Sequence, residues 1–396
     1  MLIIIKSRKS RKAGFPAFAP GLYLRFRDVI MNASSCSARF GAAGPGRELN
    51  ATGGEMNLLL KWTRATAAFL LLFCGALAFG ADSAAGLKSA EELVAALEAR
   101  IDKPIDIPTE FSCDVLTAEQ RDCKAIIFKS GADWNKKESV VWEWDPAKEL
   151  PDFASRFGHI SECKPCSGLR EVLVAASSGG VARIRVADKK VLFYGNAGGN
   201  THSIAKLPDG NIVAASSTGK YVSLFAVPKE YEETGAAAET PVLKKFPLDG
   251  AHGVVWDAKR SLLWALGYTA IVGYEYVGTK EEPDLKETVR VPLEGTQAGG
   301  HDLYPAPGYD ALMTTGVGIN VFDPNSHKFY SVSPMKKVKS ISLSPEGTLL
   351  MQRAVVEWWS ETIFYGDDKN SAVGTYKDAR FYKARWFTPN TFSDGE

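Results

Sequence analysis

The chain has 396 residues, and its 47 Lys and Arg balance 46 Asp and Glu to a formal net charge of +1. That balance gives no whole-chain field for a polyanion, so charge offers no argument for nucleic acid or an acidic surface, and no nucleic-acid partner is expected. The length accommodates one large all-β domain with extensions, and 36 Gly and 20 Pro suit a turn-rich β chain.

Residues 1–55 mix basic, Gly-rich and Pro-containing segments with no sustained period. From Met56 the text changes. Lys61 and Arg64 precede an apolar run from Ala65 to Phe79, with small residues at Ala76-Leu77-Ala78 and Ala78-Phe79-Gly80. A basic start, an apolar run and a small-residue cleavage site read as a secretory signal over 56–80. Met56 then reads as the true start, with residues 1–55 outside the mature protein; a long leader or an uncleaved anchor are the alternatives. Cys74 follows the bulky Phe73, which favours cleavage over lipidation. The expected protein is exported, periplasmic or extracellular, and touches the membrane only through its signal.

Export makes disulfides an expectation for Cys113, Cys123, Cys163 and Cys166. Three pairings are open. Cys163-Lys164-Pro165-Cys166 has no second copy, which argues against a zinc site.

Residues 81–109 read as a helical lead-in. Ser89 is an N-cap for a short helix through Glu98 that packs outside the main domain, and Pro104 and Pro108 end it. From residue 110 to 396 the pattern is strands and turns. Strands are expected at 125–129, 140–144, 171–177, 181–186, 203–207, 212–216, 222–227, 252–256, 262–266, 271–276, 302–304, 311–315, 319–322, 338–343, 348–352, 362–365 and 381–387. Residues 280–287 read as a charged loop. Trp142 and Trp144 read as core, one on each blade interface. His159 and His327 read as surface, and Arg380, Lys383 and Arg385 as a solvated strand face.

The strands recur in step. His202 to Ile212, His252 to Leu262, His301 to Ala311 and Lys339 to Leu349 are each ten residues apart. Ala175-Ala176-Ser177-Ser178 repeats Ala214-Ala215-Ser216-Ser217 at an offset of 39, which sets Cys163 opposite His202. A β-rich unit recurring every roughly 40 to 50 residues means a β-propeller. The fold expected is therefore an all-β propeller of six blades, with five or seven open, plus the short N-terminal helix.

In a propeller the entries of the first strands meet near the axis, on the face that also carries the turns between second and third strands. His202, His252, His301 and Lys339 should converge there, joined by Tyr268, Trp358, Trp359 and Trp134 from the turns. Three neutral imidazoles could ligate one divalent metal, Mn or Zn, with Lys339 as the catalytic base on an acidic sugar. Without metal, His and Lys could bond sugar hydroxyls or carboxylates while Trp358 or Trp359 stacks on the ring. The plainer alternative is a structural His beneath a later Trp-Asp, which Gly300-His301 and Phe322-Asp323 fit loosely.

The strings Asn200-Thr201-His202-Ser203, Leu207-Pro208-Asp209-Gly210-Asn211, Ala251-His252-Gly253, Gly299-Gly300-His301-Asp302, Val338-Lys339-Ser340 and Trp358-Trp359 together resemble a family of exported bacterial β-propeller proteins classed as a domain of unknown function. The resemblance spans about residues 120–387 and implies a propeller and export, with no established activity. A looser architectural likeness is to oligogalacturonate lyases. It would make His202, His252 and His301 ligands of a manganese ion used in β-elimination on uronates. Those enzymes also use a Gln ligand, for which Gln352 and Gln297 are the candidates. The expected function is carbohydrate binding or processing, a metal-assisted lyase in its enzymatic form. The alternative is a non-catalytic scaffold for a protein or cell-envelope partner.

Overall fold

The computed structural model describes residues 86–101, 112–366 and 372–394. The signal segment and everything before it lie outside the described residues. Among the described residues, twenty-four strands form six four-stranded antiparallel sheets. They are the six blades the register predicted. From the axis outward, blade 2 is Ile160–Cys166, Glu171–Ala176, Gly180–Arg185 and Val191–Asn196. Blade 3 is Thr201–Lys206, Ile212–Ser216, Tyr221–Phe225 and Lys244–Pro247. Blade 4 is Gly253–Asp257, Leu262–Leu266, Ala270–Gly278 and Pro283–Pro292. Blade 5 is Asp302–Pro305, Leu312–Thr315, Ile319–Asp323 and Lys328–Ser333. Blade 6 is Val338–Leu343, Leu349–Arg353, Thr362–Tyr365 and Ala372–Thr375.

Blade 1 is built from both ends of the domain. Val115–Glu119, Lys124–Phe128 and Val140–Trp144 are its outer three strands, and the last strand, Phe381–Trp386, is its innermost. Pairing Val115 with Trp386 and Leu116 with Arg385 closes the ring with backbone hydrogen bonds, so no sheet edge is left at the seam.

The blades stack face to face, and the inner two strands are buried on both faces. Glu171–Ala176, for example, is buried at every position. Such strands read as continuous apolar runs, and their side chains fill the six inter-blade clusters. The outer strands meet solvent, and Lys244–Pro247 buries none of its residues. The span expected to be a charged loop, 280–287, overlaps the start of one of them, Pro283–Pro292. Trp142 and Trp144 share one inter-blade cluster instead of dividing between two, because residues two apart on a strand face the same way.

The N-terminal helix runs Ala90–Glu98. Ser89 Oγ accepts from the Glu92 amide while Glu92 accepts from the Ser89 amide, a reciprocal cap. Leu93 and Leu97 are buried against Ile319, Val321, Ile341 and Leu349, so the helix seals the edge between blades 5 and 6. Among the described residues three further short α-helices occur, two of them between strands and one after the last strand. The last, Thr391–Asp394, lies under the far end of the axis, where the Asp394 carboxylate accepts from the Ser167 and Gly168 amides, both at 3.0 Å.

All four cysteines described are free thiols. Cys163 and Cys166 lie three apart on one strand, so their side chains project to opposite faces, one into the blade 1–2 cluster and one into the blade 2–3 cluster. Of the three pairings left open, the one that joins Cys163 to Cys166 is therefore barred by strand geometry, and the expected disulfides are absent among the described residues.

Candidate functional site

The site forms where the inner strands begin. In four blades the inner strand carries a one-residue irregularity at its start, centred on Ser161, His202, Lys339 and Tyr382. A bulge breaks the two-residue alternation and re-aims one side chain. In blades 4 and 5 the equivalent residues, His252 and His301, precede the strand, each donating its backbone N–H to the second strand, at 2.8 and 2.7 Å. The ring at the mouth is thus Ser161, His202, His252, His301, Lys339 and Tyr382. Cys163 is not part of it, because it lies two residues further along and packs between blades.

The three imidazoles meet. The rings of His202 and His252 stack with centroids 4.5 Å apart and an interplanar angle of 6°. His301 meets His252 edge-on at 5.0 Å. Tyr268 covers the other side of His252 at 4.9 Å, and Tyr382 lies 5.3 Å from His202. A cavity of about 380 Å³ opens above them, lined also by Gln120, His159, Ser177, Asn200, Ser217, Thr218 and Trp358. Its polar wall comes from blades 2 and 3, with Gln120 added from blade 1. Its aromatic wall comes from Tyr268, Tyr382 and Trp358.

Burial sets the charge state. It lowers His202 well below the ordinary imidazole value, with His252 and Lys383 adding to the effect. It lowers His252 to about 4, against a small opposing contribution from the Gly250 carbonyl. Burial and then the Lys339 ammonium push His301 down to about 2. All three rings are neutral at pH 7. Tautomers follow from the partners. His252 Nδ1 lies 2.7 Å from the Gly250 carbonyl, which can only accept, so Nδ1 carries the proton and Nε2 the lone pair. Lys339 Nζ lies 3.4 Å from His301 Nε2, and an ammonium can only donate, so the His301 proton is on Nδ1. That Nδ1 and the one of His202 are buried without a partner among the described residues.

Lys339 stands behind His301, outside the cavity lining. Its other neighbour is the face of Tyr382, 6.0 Å away, and among the described residues no carboxylate pairs with it. Burial, and then the charges of Lys383 and Lys337, lower its pKa.

Beneath the ring the axis is filled by charge. Arg385 donates to Asp302 at 2.6 and 2.7 Å and to Glu162 at 3.0 Å. Lys383 bridges the same two carboxylates, at 3.1 and 3.0 Å, and donates to the His202 carbonyl at 3.2 Å. Lys164 donates to Ser203 Oγ and the Val254 carbonyl, both at 2.8 Å. Lys383 and Arg385 were expected on a solvated face. They are instead buried at the hub, because their strand is the innermost of blade 1 and not the outermost of blade 6.

A three-imidazole metal centre does not fit this geometry. Two of the rings present stacked faces to each other, and among the described residues no group of His, Cys, Asp or Glu is arranged to hold a metal ion. Neither candidate Gln stands at the mouth. Gln352 is buried, donating to the Phe381 carbonyl, and Gln297 caps a turn. The glutamine of the cavity is Gln120, which accepts from Trp358 Nε1 at 3.0 Å.

Trp134 is not at the mouth. It is buried, stacked on Phe128 at 4.5 Å, and donates to the Lys129 carbonyl. Trp359 turns away from the cavity and lies under the Arg380 guanidinium at 5.2 Å.

The model of a family described as of unknown function, DUF6528, matches residues 77–396. The chain belongs to that family. No curated protein matches it. Among solved structures the DUF6528 chain is similar to hydrazine synthase of Kuenenia stuttgartiensis, at 12% identity and a TM-score of 0.37 over 54% of this chain and 68% of that one. A likeness so distant carries no argument about activity.

Sequence reasoning missed three residues of the DUF6528 site. Gln120 and Tyr382 come from blade 1, the unit without a register. His159, read as surface, is exposed but borders the cavity, at a positive φ of 56°. An imidazole 43 residues before His202, just ahead of another inner strand, was the available signal.

Proposed function

We propose that this protein binds a small polyhydroxylated ligand, a carbohydrate, at the channel mouth and that its His residues act in recognition. One observation carries the reading: His202, His252, His301, Tyr268, Tyr382 and Trp358 converge on a single cavity of about 380 Å³. Its walls divide into a hydroxyl- and amide-bearing side and an aromatic side. A pyranose has the matching division, with C–H bonds on one face and hydroxyls around the edge. Neutral imidazoles and side-chain amides both give and take hydrogen bonds, which suits hydroxyls better than ions. Lys339 stands behind His301 and outside the lining, so it acts on a ligand only through that imidazole, whose Nε2 it engages at 3.4 Å. Export, as the N-terminal segment indicates, would place the site in the periplasm or outside the cell.

The test is glycan-array binding followed by calorimetry, comparing wild type with His252→Ala. Binding of a sugar class by wild type, weakened at least about tenfold in His252→Ala, supports the reading. No sugar bound by wild type, or equal binding by both, refutes it. The scaffold reading has one observation in its favour, the apolar lip of the mouth described next, and a lysate partner retained by His252→Ala would support it.

A further inference from the structure

Resting on that reading, we propose that the site recognises the end of a carbohydrate chain, one terminal unit entering the cavity and the next lying across the lip formed by blades 4, 5 and 6. Two features of the molecule lead there. The first is that the cavity is blind. Directly under the imidazoles, Glu162 and Asp302 from opposite sides of the ring are joined by Lys383 and Arg385, and all four side chains are fully buried. Beyond them the terminal helix covers the far end, with Asp394 anchored on the Ser167 and Gly168 amides. A polymer cannot thread the axis, and a ligand approaches the buried imidazoles from one side alone, which favours entry of a chain end over an internal unit.

The second feature is the lip. Among the described residues eight large apolar side chains are exposed, and five of them are Tyr268, Val317, Val355, Val356 and Trp358. They sit on the turns between second and third strands of three consecutive blades, so they form one border of the same opening. Such clustering marks a contact surface, since scattered single exposures are the ordinary case. Trp358 is held in place by its bond to Gln120 and is 43% exposed, so its ring is fixed yet open. Fixed aromatic faces are how proteins hold successive sugar rings at low entropic cost. The lip is continuous with the cavity, which identifies its occupant as the rest of the same ligand.

The experiment is calorimetry with chains of one to four units of glucose, N-acetylglucosamine and galacturonate. Each chain is also tested with its reducing end blocked by reduction to the alditol, with its non-reducing end blocked by methylation of the terminal hydroxyls, and with both ends blocked. The cyclic glucose oligomer β-cyclodextrin serves as an endless control. For the series that binds, affinity should rise about tenfold from one unit to two or three and then level off. Blocking one end should abolish binding, and the cyclic oligomer should not bind. Trp358→Ala should weaken chains of every length, because its ring walls the cavity, and Trp358→Phe should restore most of the loss. Val317→Ser/Val355→Ser, on the lip and outside the cavity lining, should lose about tenfold for the longer chains and nothing for the single unit. Because Trp358 lies at the surface, an unchanged melting temperature confirms that the fold is intact. Equal binding of doubly blocked chains, or affinity independent of length, overturns terminal recognition and leaves the carbohydrate reading standing. Silence from all three series overturns both.

Discussion

Replacing Asp302 by Asn asks whether charge holds the hub together. Asp302 accepts from both guanidinium nitrogens of Arg385, at 2.6 and 2.7 Å, and from the Ile341 amide at 3.1 Å, and it pairs with Lys383 at 3.1 Å. Against the burial that would raise it, Arg385 and Lys383 hold its carboxyl well below the usual range. The hub contains two carboxylates, Glu162 and Asp302, and three cations, Lys164, Lys383 and Arg385, all buried. The amide would raise the formal charge of this dry cluster by one and keep a single acceptor where two were used. Removing one partner of a buried ion pair costs about 3–5 kcal/mol, and the retained acceptor places Asp302→Asn near the lower end. At roughly 2–4 °C per kcal/mol for a domain of this size, the melting temperature should fall by about 6–12 °C. Urea unfolding followed by tryptophan fluorescence measures the loss directly. The double variant Asp302→Leu/Arg385→Leu removes one charge of each sign and should recover at least half of it. A single variant within about 1 kcal/mol of wild type, or a double variant losing the sum of the two singles, would show that the hub is held by packing alone.

Three more outcomes follow from the same geometry. His202, His252 and His301 all have folded pKa values below the unfolded value near 6.5, so the folded chain binds fewer protons; stability is complete above that pH and falls as pH drops through 6.5 toward 4. The urea midpoint should decline from pH 6.5 to 5, and a His202→Asn/His252→Asn variant should show a shallower decline; parallel slopes would contradict this. Gly250→Ala would place a Cβ 2.2 Å from Tyr268 Cγ at a φ of +60°, so it should cost about 1–2 kcal/mol and displace Tyr268 from His252, weakening sugar binding in calorimetry while most of the stability remains. Trp134→Ala should cost about 3–5 kcal/mol of stability and leave sugar affinity alone, the reverse of Trp358→Ala.

The rhythm of the chain carried most of the architecture. Inner strands recur with a fixed run of residues between strand entry and second strand, so His202, His252, His301 and Lys339 could be matched before any contact was known. The rhythm breaks where the blade itself is irregular. The Ala-Ala-Ser-Ser repeat matches Ala175 to Ala214 where the structure aligns it in position with Ala215, and the first hairpin of blade 2 is one residue longer than that of blade 3, which is how Cys163 came to stand two residues past Ser161. Blade 1 has no register because its strands come from opposite ends of the chain. Its contributions, Gln120, Tyr382, Lys383 and Arg385, were therefore missed or misplaced, and Trp134 was assigned to a surface it does not reach. Outer strands such as Lys244–Pro247 were missed for a different reason: a strand facing solvent has no apolar pattern to count. The disulfide expectation rested on compartment, whereas strand direction separates the two thiols of the C-x-x-C.

Closing the ring with the last strand gives the molecule a built-in check on completeness. Tyr382, Lys383 and Arg385 supply a wall of the cavity, a bridge across the hub and its two-pronged ion pair with Asp302, and all three emerge from the ribosome after the strands of blades 2 to 6 have been made. A chain cut short before them has neither a finished circle nor a finished mouth. The mouth can therefore be completed no earlier than the ring itself.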